Sequence, residues 1–598
     1  MKSGAAILNT VHEKMQSIPV HAFIVPSSDS HNSEYVAPHL QRRAFLTNFK
    51  GSAGTAVITQ EKALLWTDGR YWIEAAESLY PEFQLMKQGH PDVPSIEDWI
   101  VAEMGVDAVV GMDPLVCTIS EWKHLSKKIT LKAIEDVVGP MMASIHVPSP
   151  LYRRPVEYSG ATAAERRAMI VAELEKQGCD FTVLSALDEV AWLTNLRGRD
   201  VPFNPVFYAY AIVEKENSKI CVYVDMEKVT PMVKDESASE IEFFPYDALI
   251  PTLQSLPKGQ VVLLDERQTS QAIYNILTER EILVKCVVCG CAQRMKAIKN
   301  DSELKGFREC HVRDGAALTQ YLAWLHEKVV VKGVTTLNEY EAAQRLEEYR
   351  AADSLFVQLS FGTISAAGPN AAMCHYTPTP TRCSVLRRDQ LYLVDSGAQY
   401  WDGTTDVTRT ICFDEPRDEE REAYTRVLKG HIALNEVTFP KGTAGYRLDA
   451  LARLALWQVG LDYCHGTGHG VGSFLCVHEG PHGIGIRPLP TEATVDLHCI
   501  VSNEPGYYKE SGFGIRIENL EEVVVQPTKY SKDGFLTLSY LTMVPLCREL
   551  IDVSLLTQRE RDWVNAYHTT VVGKLEPRLQ ERGDERAIAY LRYHTQPI

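Results

Sequence analysis

The sequence predicts a mixed α/β protein built from two related N-terminal α/β segments and a larger, strand-rich C-terminal segment. Strand and helix patterns alternate from residue 21 to about residue 290. One order of elements occurs twice in that region, as in an internal duplication. From residue 355 onward strand patterns dominate, with helices predicted between them at 417–438 and 446–460. These observations define the fold class and three domains.

The first segment opens with an apolar strand at 21–28, HAFIVPSS, and continues through a helix to a second strand that begins ALLWTDG. At 139–159, four prolines stand among small residues, a composition typical of a linker. We therefore expect the first domain to cover residues 1–148.

The second segment begins with a helix, AAERRAMIVAELEKQ, that Gly178 ends. It then repeats the order of the first segment. FLTNFKGSAGTAVI in one and WLTNLRGRDVPFNPVFYAYAIV in the other both give a helix ending in Leu-Thr-Asn, a loop and a strand. A diverged duplicate at 149–297 is expected. A long helix over about 292–328 then leads into a third domain at 298–598.

Composition limits the classes of function. Apolar residues make up 45% and charged residues 23%, as in ordinary globular proteins. The net charge of −17 argues against a nucleic-acid partner, which would favour a basic face. Charged residues at 12–14 interrupt the first apolar stretch, so we expect no signal peptide. No apolar run is long enough for a membrane span, and no membrane partner is expected.

The fourteen cysteines are scattered and form no disulfide framework, which favours a cytoplasmic protein with reduced thiols. The stretch CVVCGC at 286–291 has the spacing of half a zinc site or of a redox pair. Because no second Cys/His pair lies at zinc-finger spacing, the better interpretation is a strand that carries thiols near a linker.

Two acids in the C-terminal segment are placed like a pair of metal ligands. Asp395 ends a buried-strand pattern, LYLVD, and Asp406 lies in the alternating stretch TTDVTRTI. Asp402-Gly403 between them predicts a two-residue hairpin turn. In such a hairpin, residues an odd number apart share a face, and these two are eleven apart. Like charges on one apolar face repel and are costly to desolvate, so a cation is expected there.

Three more candidate ligands follow in HGTGHGVG (465–472), NEPGYY (503–508) and GIRIEN (514–519). His465 and His469 have the four-residue spacing of a zincin helix, but the glycines between them make a helix improbable and predict close backbone approach. Glu504 follows an apolar strand. Alternation places Arg516 and Glu518 on one face of the next strand.

Singly, each of these side chains could be structural. Together they are four carboxylates and an imidazole, a set that suits Mn(II), Co(II) or Zn(II), with the carboxylate excess favouring Mn(II). One ion rarely needs four carboxylates, whereas two ions sharing bridging carboxylates do. We therefore expect two divalent metal ions.

These motifs resemble the metal-dependent pita-bread peptidases, a family that includes aminopeptidase P, prolidase, methionine aminopeptidase and creatinase. Nearly the whole chain is similar to the cytosolic, three-domain Xaa-Pro aminopeptidases, including RRAFLTNFKGSAGTAVI, DSGAQYWDGTTDVTRT, CHGTGHGVGSFLCVHEGP, EPGYYKESGFGIRIEN and the tail TQPI. The resemblance implies two creatinase-like N-terminal domains, a C-terminal pita-bread catalytic domain and a homodimer formed through it. The family often has Asp before the second ligand Glu, where this chain has Asn503.

The resemblance also implies roles for individual residues. Asp406 and Glu518 would bridge the two metals, Asp395 would complete the shell of one ion, and His469 and Glu504 would complete the other. The further residues that the resemblance assigns to the site are His375, His465, His478, Tyr508 and Arg516. Of these, His375 and His478 would contact the substrate backbone and transition state, His465 would line a proline pocket, and the last two would brace the site.

The expected activity is hydrolysis of the bond between an N-terminal residue and a following proline, with peptides as partners. Attack would come from a hydroxide that bridges the metals, with His478 donating to the oxyanion and Glu504 a candidate proton shuttle. A prolidase acting on dipeptides is the alternative within the fold, although the duplicated N-terminal domain argues against it. A non-catalytic peptide-binding protein is a third reading, which the presence of all five ligands disfavours.

Overall fold

The computed structural model describes residues 3–142 and 148–598, so residues 143–147 of the linker predicted at 139–159 lie outside the described part. The chain forms two compact units. One comprises Met1–Pro155 with Ala161–Gln293, and the other comprises Val156–Gly160 with Arg294–Ile598.

The first part of the N-terminal unit is a six-stranded sheet with helices packed against it. Its strands are β1 Ala22–Pro26, β2 Thr55–Thr59, β3 Ala63–Thr67, β4 Phe83–Lys87, β5 Val109–Met112 and β6 Thr130–Ala133, in the order β4-β3-β2-β1-β5-β6. Its helices are α1 Gly4–Ser17, α2 Arg42–Thr47, α3 Trp72–Ser78, α4 Ile96–Met104 and α5 Ile119–Leu125. Strand β1 is buried along its whole length, which agrees with its continuous apolar pattern.

A second six-stranded sheet follows, together with a short ribbon. The strands are β7 Tyr152–Arg153, β8 Phe181–Leu184, β9 Leu196–Arg197, β10 Ala209–Glu214, β11 Ile220–Val224, β12 Ile241–Pro245, β13 Val261–Asp265 and β14 Leu283–Val287. The sheet order is β12-β11-β10-β8-β13-β14, and β7 pairs with β9. The helices are α6 Val156–Ser159 of the other unit, α7 Ala163–Gln177, α8 Leu187–Thr194, α9 Pro231–Ser237, α10 Leu249–Ser255, α11 Gln271–Glu279 and α12 Cys291–Ala297.

The two sheets have the same topology. In each, the first strand lies between an antiparallel second strand and a parallel fifth one: β1 between β2 and β5, and β8 between β10 and β13. The Leu-Thr-Asn stretches are also equivalent, because Asn48 and Asn195 both end their helices in the left-handed conformation. An internal duplication predicts that the strand order, the strand directions and the Asn cap of the helix are the same in both sheets.

The C-terminal unit contains the remaining helices and strands. The helices are α13 Asp301–His326, α14 Glu339–Ala351, α15 Asp418–Asn435, α16 Tyr446–Trp457, α17 Gln558–Glu581 and α18 Glu585–His594. The strands are β15 Phe356–Leu359, β16 Ile364–Ala367, β17 Tyr392–Ser396, β18 Ala398–Tyr400, β19 Gly403–Thr404, β20 Val407–Ile411, β21 Phe439–Pro440, β22 Gly468–Gly470, β23 Glu479–Ile484, β24 Ile500–Asn503, β25 Gly506–Lys509, β26 Phe513–Arg516, β27 Asn519–Val525 and β28 Phe535–Tyr540.

These strands form three small sheets and one six-stranded sheet. The orders are β15-β18-β19, β16-β17-β20, β25-β26 and, for the six-stranded sheet, β21-β28-β27-β24-β22-β23. One large core joins α13, α14, α15, α17 and α18 to β17, β20 and β26. The arrangement is the mixed α/β architecture expected for this segment.

The long helix predicted over 292–328 is wrong in one respect, because it is two helices. Asn300 separates them: its side chain accepts hydrogen bonds from the backbone N–H of Ser302 and Glu303, and Glu303 reaches back to the Asn300 N–H. This capping box begins a new helix, α13, at Asp301. The helix then ends in a π-helical turn at Glu327–Val331.

No helix in the described residues combines the length and apolar character needed to cross a bilayer. The fourteen cysteines all lie in the described residues, and none of them forms a disulfide. Within the 286–291 stretch, Cys286 lies in β14, Cys289 lies beyond its end and Cys291 begins α12, so the interpretation as a strand that carries thiols holds for Cys286 alone.

Two glycines of α13 let it approach other backbone segments closely, and one of them allows a test. A Cβ added at Gly315 would lie 2.0 Å from the Met543 carbonyl oxygen, whereas a Cβ added at Gly573 in α17 would meet nothing within 4 Å. We expect Gly315→Ala to destabilise the protein by about 1–3 kcal/mol through overpacking. Gly573→Ala should leave stability unchanged or raise it by up to about 1 kcal/mol, because alanine favours the helix. Scanning calorimetry of both variants checks this, and equal melting temperatures would contradict it.

Candidate active site

The two acids of the predicted hairpin share a face. Asp395 pairs with Thr408, and Ser396 pairs with Val407, within β17 and β20. The same register continues into β18 and β19, where Tyr400 pairs with Gly403. Asp406, two residues before Thr408, therefore projects from the same face as Asp395.

The turn itself lies one residue earlier than predicted, at Trp401–Asp402. Asp402 is held in it by helix α13, because Arg313 donates to its carboxylate at 2.5 Å. The Asp402 carbonyl also lies against Gly306, where an added Cβ would come within 2.0 Å. Both possible turns keep the two acids on one face, so the error in the turn leaves the parity argument intact.

Only one of the two carboxylate oxygens of Asp395 has a hydrogen-bond partner among the described residues. Arg516, from the end of β26, donates to Asp395 Oδ2 at 2.5 Å. Asp395 Oδ1 is buried and has no hydrogen-bond partner among the described residues. Burial raises the pKa of Asp395 to about 7, although Arg516 opposes the shift. A buried carboxylate oxygen without a donor fits a metal ligand.

Glu518 lies in a break between two strands, since β26 ends at Arg516 and β27 begins at Asn519, so the strand predicted through 514–519 is divided there. Thr408 donates to Glu518 Oε2 at 2.7 Å, and Arg516 donates to the Thr408 hydroxyl at 3.1 Å. Burial, followed by the charge of Asp406, raises the pKa of Glu518 well above its ordinary value. Thr408 was missed as a site residue, although alternation from Asp406 places it on the same face.

His469 lies on the short strand β22, between β23 and β24. Its neighbour Gly468 is required there, since an added Cβ would lie 2.0 Å from the Ser502 carbonyl oxygen. The ring Nδ1 donates to the Gly470 carbonyl at 2.9 Å. Nε2 then faces Asp406 Oδ2 and Glu504 Oε1, each 3.4 Å away.

Glu504 follows β24 directly. Its Oε1 accepts from the Ser502 hydroxyl at 3.0 Å, and the same hydroxyl accepts from the His469 N–H at 2.9 Å. Burial raises the pKa of Glu504, while His469 opposes the shift. Ser502 thus links two of the predicted ligands, a role that their sequence spacing did not reveal.

The remaining predicted residues lie around these donors. The His478 ring is 4.4 Å from the His469 ring, centroid to centroid, and nearly perpendicular to it. His465 Nε2 is 2.8 Å from the Tyr508 hydroxyl, which accepts from Arg516 Nη1 at 2.5 Å. His375 is half-buried and follows Cys374, whose carbonyl accepts from Arg516 at 3.4 Å.

Behind Glu504, Asn503 anchors the strand. Its side-chain amide donates to the His431 carbonyl at 2.9 Å and to Glu521 Oε1 at 3.1 Å. Glu521 also accepts from Asn435 at 3.0 Å. An Asp at position 503 would place a second carboxylate against buried Glu521, so the departure from Asp noted in the sequence fits this environment.

The donor set fits two divalent cations. Asp406, His469 and Glu518 each offer a ligand atom, and these atoms lie within 4.8 Å of one another. Asp395 and Glu504 supply two further carboxylates. Asp395 is paired with Arg516, and Glu504 faces His469. Oxygen-rich donors with one imidazole are typical of hard or borderline ions.

Comparison with known families agrees with this fold. Profiles of the Creatinase/Prolidase N-terminal domain match residues 8–141 and 146–303. The profile of metallopeptidase family M24 matches residues 305–527, and that of the C-terminal region of peptidase M24 matches 534–598. The fold and the site therefore define a metallopeptidase with two creatinase-like N-terminal domains and a pita-bread catalytic domain.

Full-length relatives narrow the class. Probable Xaa-Pro aminopeptidase P of Laccaria bicolor is 42% identical over 99% of this chain and 93% of its own length, and that of Coprinopsis cinerea is 42% identical over 99% and 98%. The crystal structure of an X-prolyl aminopeptidase from Caenorhabditis elegans, described as a cytosolic enzyme with a di-nuclear active site, is 36% identical, with a TM-score of 0.95 and full coverage of both chains. The chain belongs to the Xaa-Pro aminopeptidase P family.

Glu521 gives a test of the support behind Glu504. Burial raises its pKa from 4.5 to about 8, against the donors Asn503 and Asn435. The folded protein thus keeps a proton that the unfolded chain loses above about pH 4.5, so stability falls as pH rises through about 8. We expect Glu521→Gln to reduce the drop in melting temperature of the metal-loaded protein between about pH 6 and 9.

Glu522→Gln, a change at the next residue of the strand where Arg308 pairs with the carboxylate, is the matched control and should retain the drop. A Glu521→Gln profile that follows wild type would contradict the prediction.

Proposed function

We propose that this chain is a metal-dependent aminopeptidase that releases the N-terminal residue of peptides with proline at the second position. The observation that carries the proposal is the convergence of buried and half-buried donors from a hairpin, a glycine-flanked strand and two strand ends, in a chain of this family. The prolidase alternative is not favoured, since the relatives that match the whole chain are named as Xaa-Pro aminopeptidase P.

We propose Asp406 and Glu518 as ligands shared by two ions, Asp395 as a ligand of one, and His469 and Glu504 as ligands of the other. The 3.4 Å separations of His469 Nε2 from Asp406 and from Glu504 support the second grouping. Asp395 pairs with Arg516, whereas His469 faces Asp406 and Glu504, and this separation supports the assignment of Asp395 to the first ion. The excess of carboxylates favours Mn(II).

When bound, the two ions supply Lewis acidity and make water available as a nucleophile at neutral pH. The protein groups then orient and stabilise. The hydrogen bond from His469 Nδ1 to the Gly470 carbonyl orients the ring so that Nε2 would face an ion. His478, against the His469 ring, is proposed to donate to the developing oxyanion, and Glu504 to carry a proton to the leaving nitrogen.

The second set of residues is proposed to hold the substrate and brace the site. His375 would contact the substrate backbone, and His465 would line the pocket for proline. Tyr508 and Arg516 connect His465 to Asp395 through contacts of 2.5–2.8 Å. That chain would couple proline binding to the orientation of a metal ligand.

We further propose domain boundaries at 1–148, 149–297 and 298–598 and action in the cytoplasm. The two sheets of equal topology and the extent of the matching family profiles support these boundaries. The free thiols and the description of the Caenorhabditis elegans relative as a cytosolic enzyme support the location.

Substrate length and metal dependence test the proposed activity. The enzyme should cleave Ala-Pro-Pro and Arg-Pro-Pro, hydrolyse the dipeptide Ala-Pro more slowly, and lose activity on chelation and regain it with Mn(II). Asp406→Asn should lower kcat/KM by more than about 100-fold. This is a larger loss than follows from removing a residue that only hydrogen-bonds to a metal ligand. The exposed change Asp533→Asn is the control and should keep full activity. Cleavage that survives chelation, or a preference for Ala-Pro, would contradict the proposal.

We also propose a homodimer formed through the catalytic domain. Helix α16 leaves Leu454 and Trp457, one turn apart, 54% and 47% exposed, and Val459 beyond it 44% exposed. Exposed apolar side chains of this size are typical of an interface.

Light scattering should give twice the chain mass of 67.1 kDa for the wild type, and close to one chain mass for Leu454→Glu with Trp457→Glu. Val106→Glu changes a residue that is 68% exposed in the other unit and should leave the mass unchanged. A monomeric wild type would refute the dimer.

A further inference from the structure

A second group of metal-binding side chains lies away from the proposed catalytic donors. Cys412 directly follows β20, whereas Cys547 and Glu549 come from the segment after β28. The Cys412 and Cys547 sulfurs are 3.8 Å apart, and Cys547 Sγ is 3.4 Å from Glu549 Oε2. Ligand atoms of all three residues lie within 4.8 Å of one another. Three potential ligands thus converge although 135 residues separate the two cysteines.

These separations match a tetrahedral zinc site. Zinc–sulfur bonds of about 2.3 Å at tetrahedral angles place two thiolates about 3.8 Å apart. A carboxylate oxygen bound at about 2.1 Å would lie about 3.6 Å from either sulfur. The observed distances of 3.8 and 3.4 Å require little rearrangement to admit the ion.

A fourth donor faces the group from helix α18. His594 is buried, its Nδ1 makes no hydrogen bond among the described residues, and this nitrogen lies 3.4 Å from Glu549 Oε2. A histidine nitrogen and a carboxylate oxygen on one tetrahedral zinc are separated by about 3.4 Å. The ligand atoms of Cys412, Cys547 and Glu549 lie together, and His594, which contacts the group through Glu549, would complete a set of four donors.

The charges nearby are compatible with this occupancy. Two thiolates and one carboxylate around a divalent ion leave one net negative charge. Arg548 acts electrostatically on His594, so this fixed cation would offset the remaining charge of the loaded site.

We propose that Cys412, Cys547 and Glu549, with His594 as the fourth group, form a structural zinc site. The site would fasten the C-terminal segment to the end of the strand that follows Asp406. Its soft sulfur donors distinguish it from the oxygen-rich catalytic set, so the two sites differ in metal preference. Chelation of the holoenzyme would therefore act on both stability and catalysis.

X-ray absorption on the reduced, zinc-loaded protein tests the site independently of activity. A zinc–sulfur shell at about 2.3 Å is expected, because the proposed catalytic donors offer only oxygen and nitrogen. Metal analysis should find one zinc per chain beyond the catalytic complement. Cys412→Ser with Cys547→Ser should remove the sulfur shell and that one equivalent, and should lower the melting temperature.

Two further variants keep the test decisive. Cys286→Ser changes a half-buried thiol elsewhere and should leave the sulfur shell, the stoichiometry and the melting temperature unchanged. If the double variant does not fold, Glu549→Gln should speed loss of the extra zinc to a competing chelator by at least about 10-fold. The absence of a sulfur shell in the wild type, its persistence in the folded double variant, or thiols closed as a disulfide that bind no zinc after reduction would overturn the proposal.

Discussion

The catalytic unit depends on burying several carboxylates close together. Burial raises the pKa of Asp395, Glu504 and Glu518, so each resists ionisation in the metal-free protein. Arg516 supplies one fixed positive charge to this group. Divalent cations supply the rest when bound, which makes metal binding a condition for the ionised site and couples it to stability. The close approach of β22 to β24 and the break between β26 and β27 both bring these groups together.

Local patterns predicted much of the fold, and the errors at the hairpin turn and in the helix at 292–328 have physical causes. The two-residue periodicity of strands predicted that Asp395 and Asp406 share a face. A two-residue turn at 401–402 leaves them on the same face as a two-residue turn at 402–403 does. The turn moved by one residue because Arg313 and Gly306 of α13 hold Asp402, and such contacts have no local signal. The break at Asn300 did have one, since Asn followed three residues later by Glu is a capping box.

The site was predictable to the extent that its residues stand in short motifs. The five proposed ligands border strands or lie beside glycines, and Thr408 follows from the parity of Asp406. The residues that hold these ligands in place could not be predicted from their spacing in the sequence. Asn503 meets Glu521 because β24 and β27 pair, and Asn435 reaches the same carboxylate from α15. Cys412 and Cys547 meet only because the C-terminal segment returns to the hairpin.

The return of that segment explains why the catalytic domain extends to the helices at the C-terminal end of the chain. On β20, Thr408 faces the proposed metal ligands, and the next residue, Arg409, points to the opposite side. Its buried guanidinium donates to the carbonyls of Glu518 at 2.7 Å and Val544 at 2.9 Å, and to the Tyr567 hydroxyl at 2.8 Å. A buried guanidinium that lost these acceptors would be strongly destabilising. One arginine therefore joins the Asp406 strand, the backbone of Glu518 and the C-terminal helices, so the geometry of the metal donors depends on chain more than a hundred residues away.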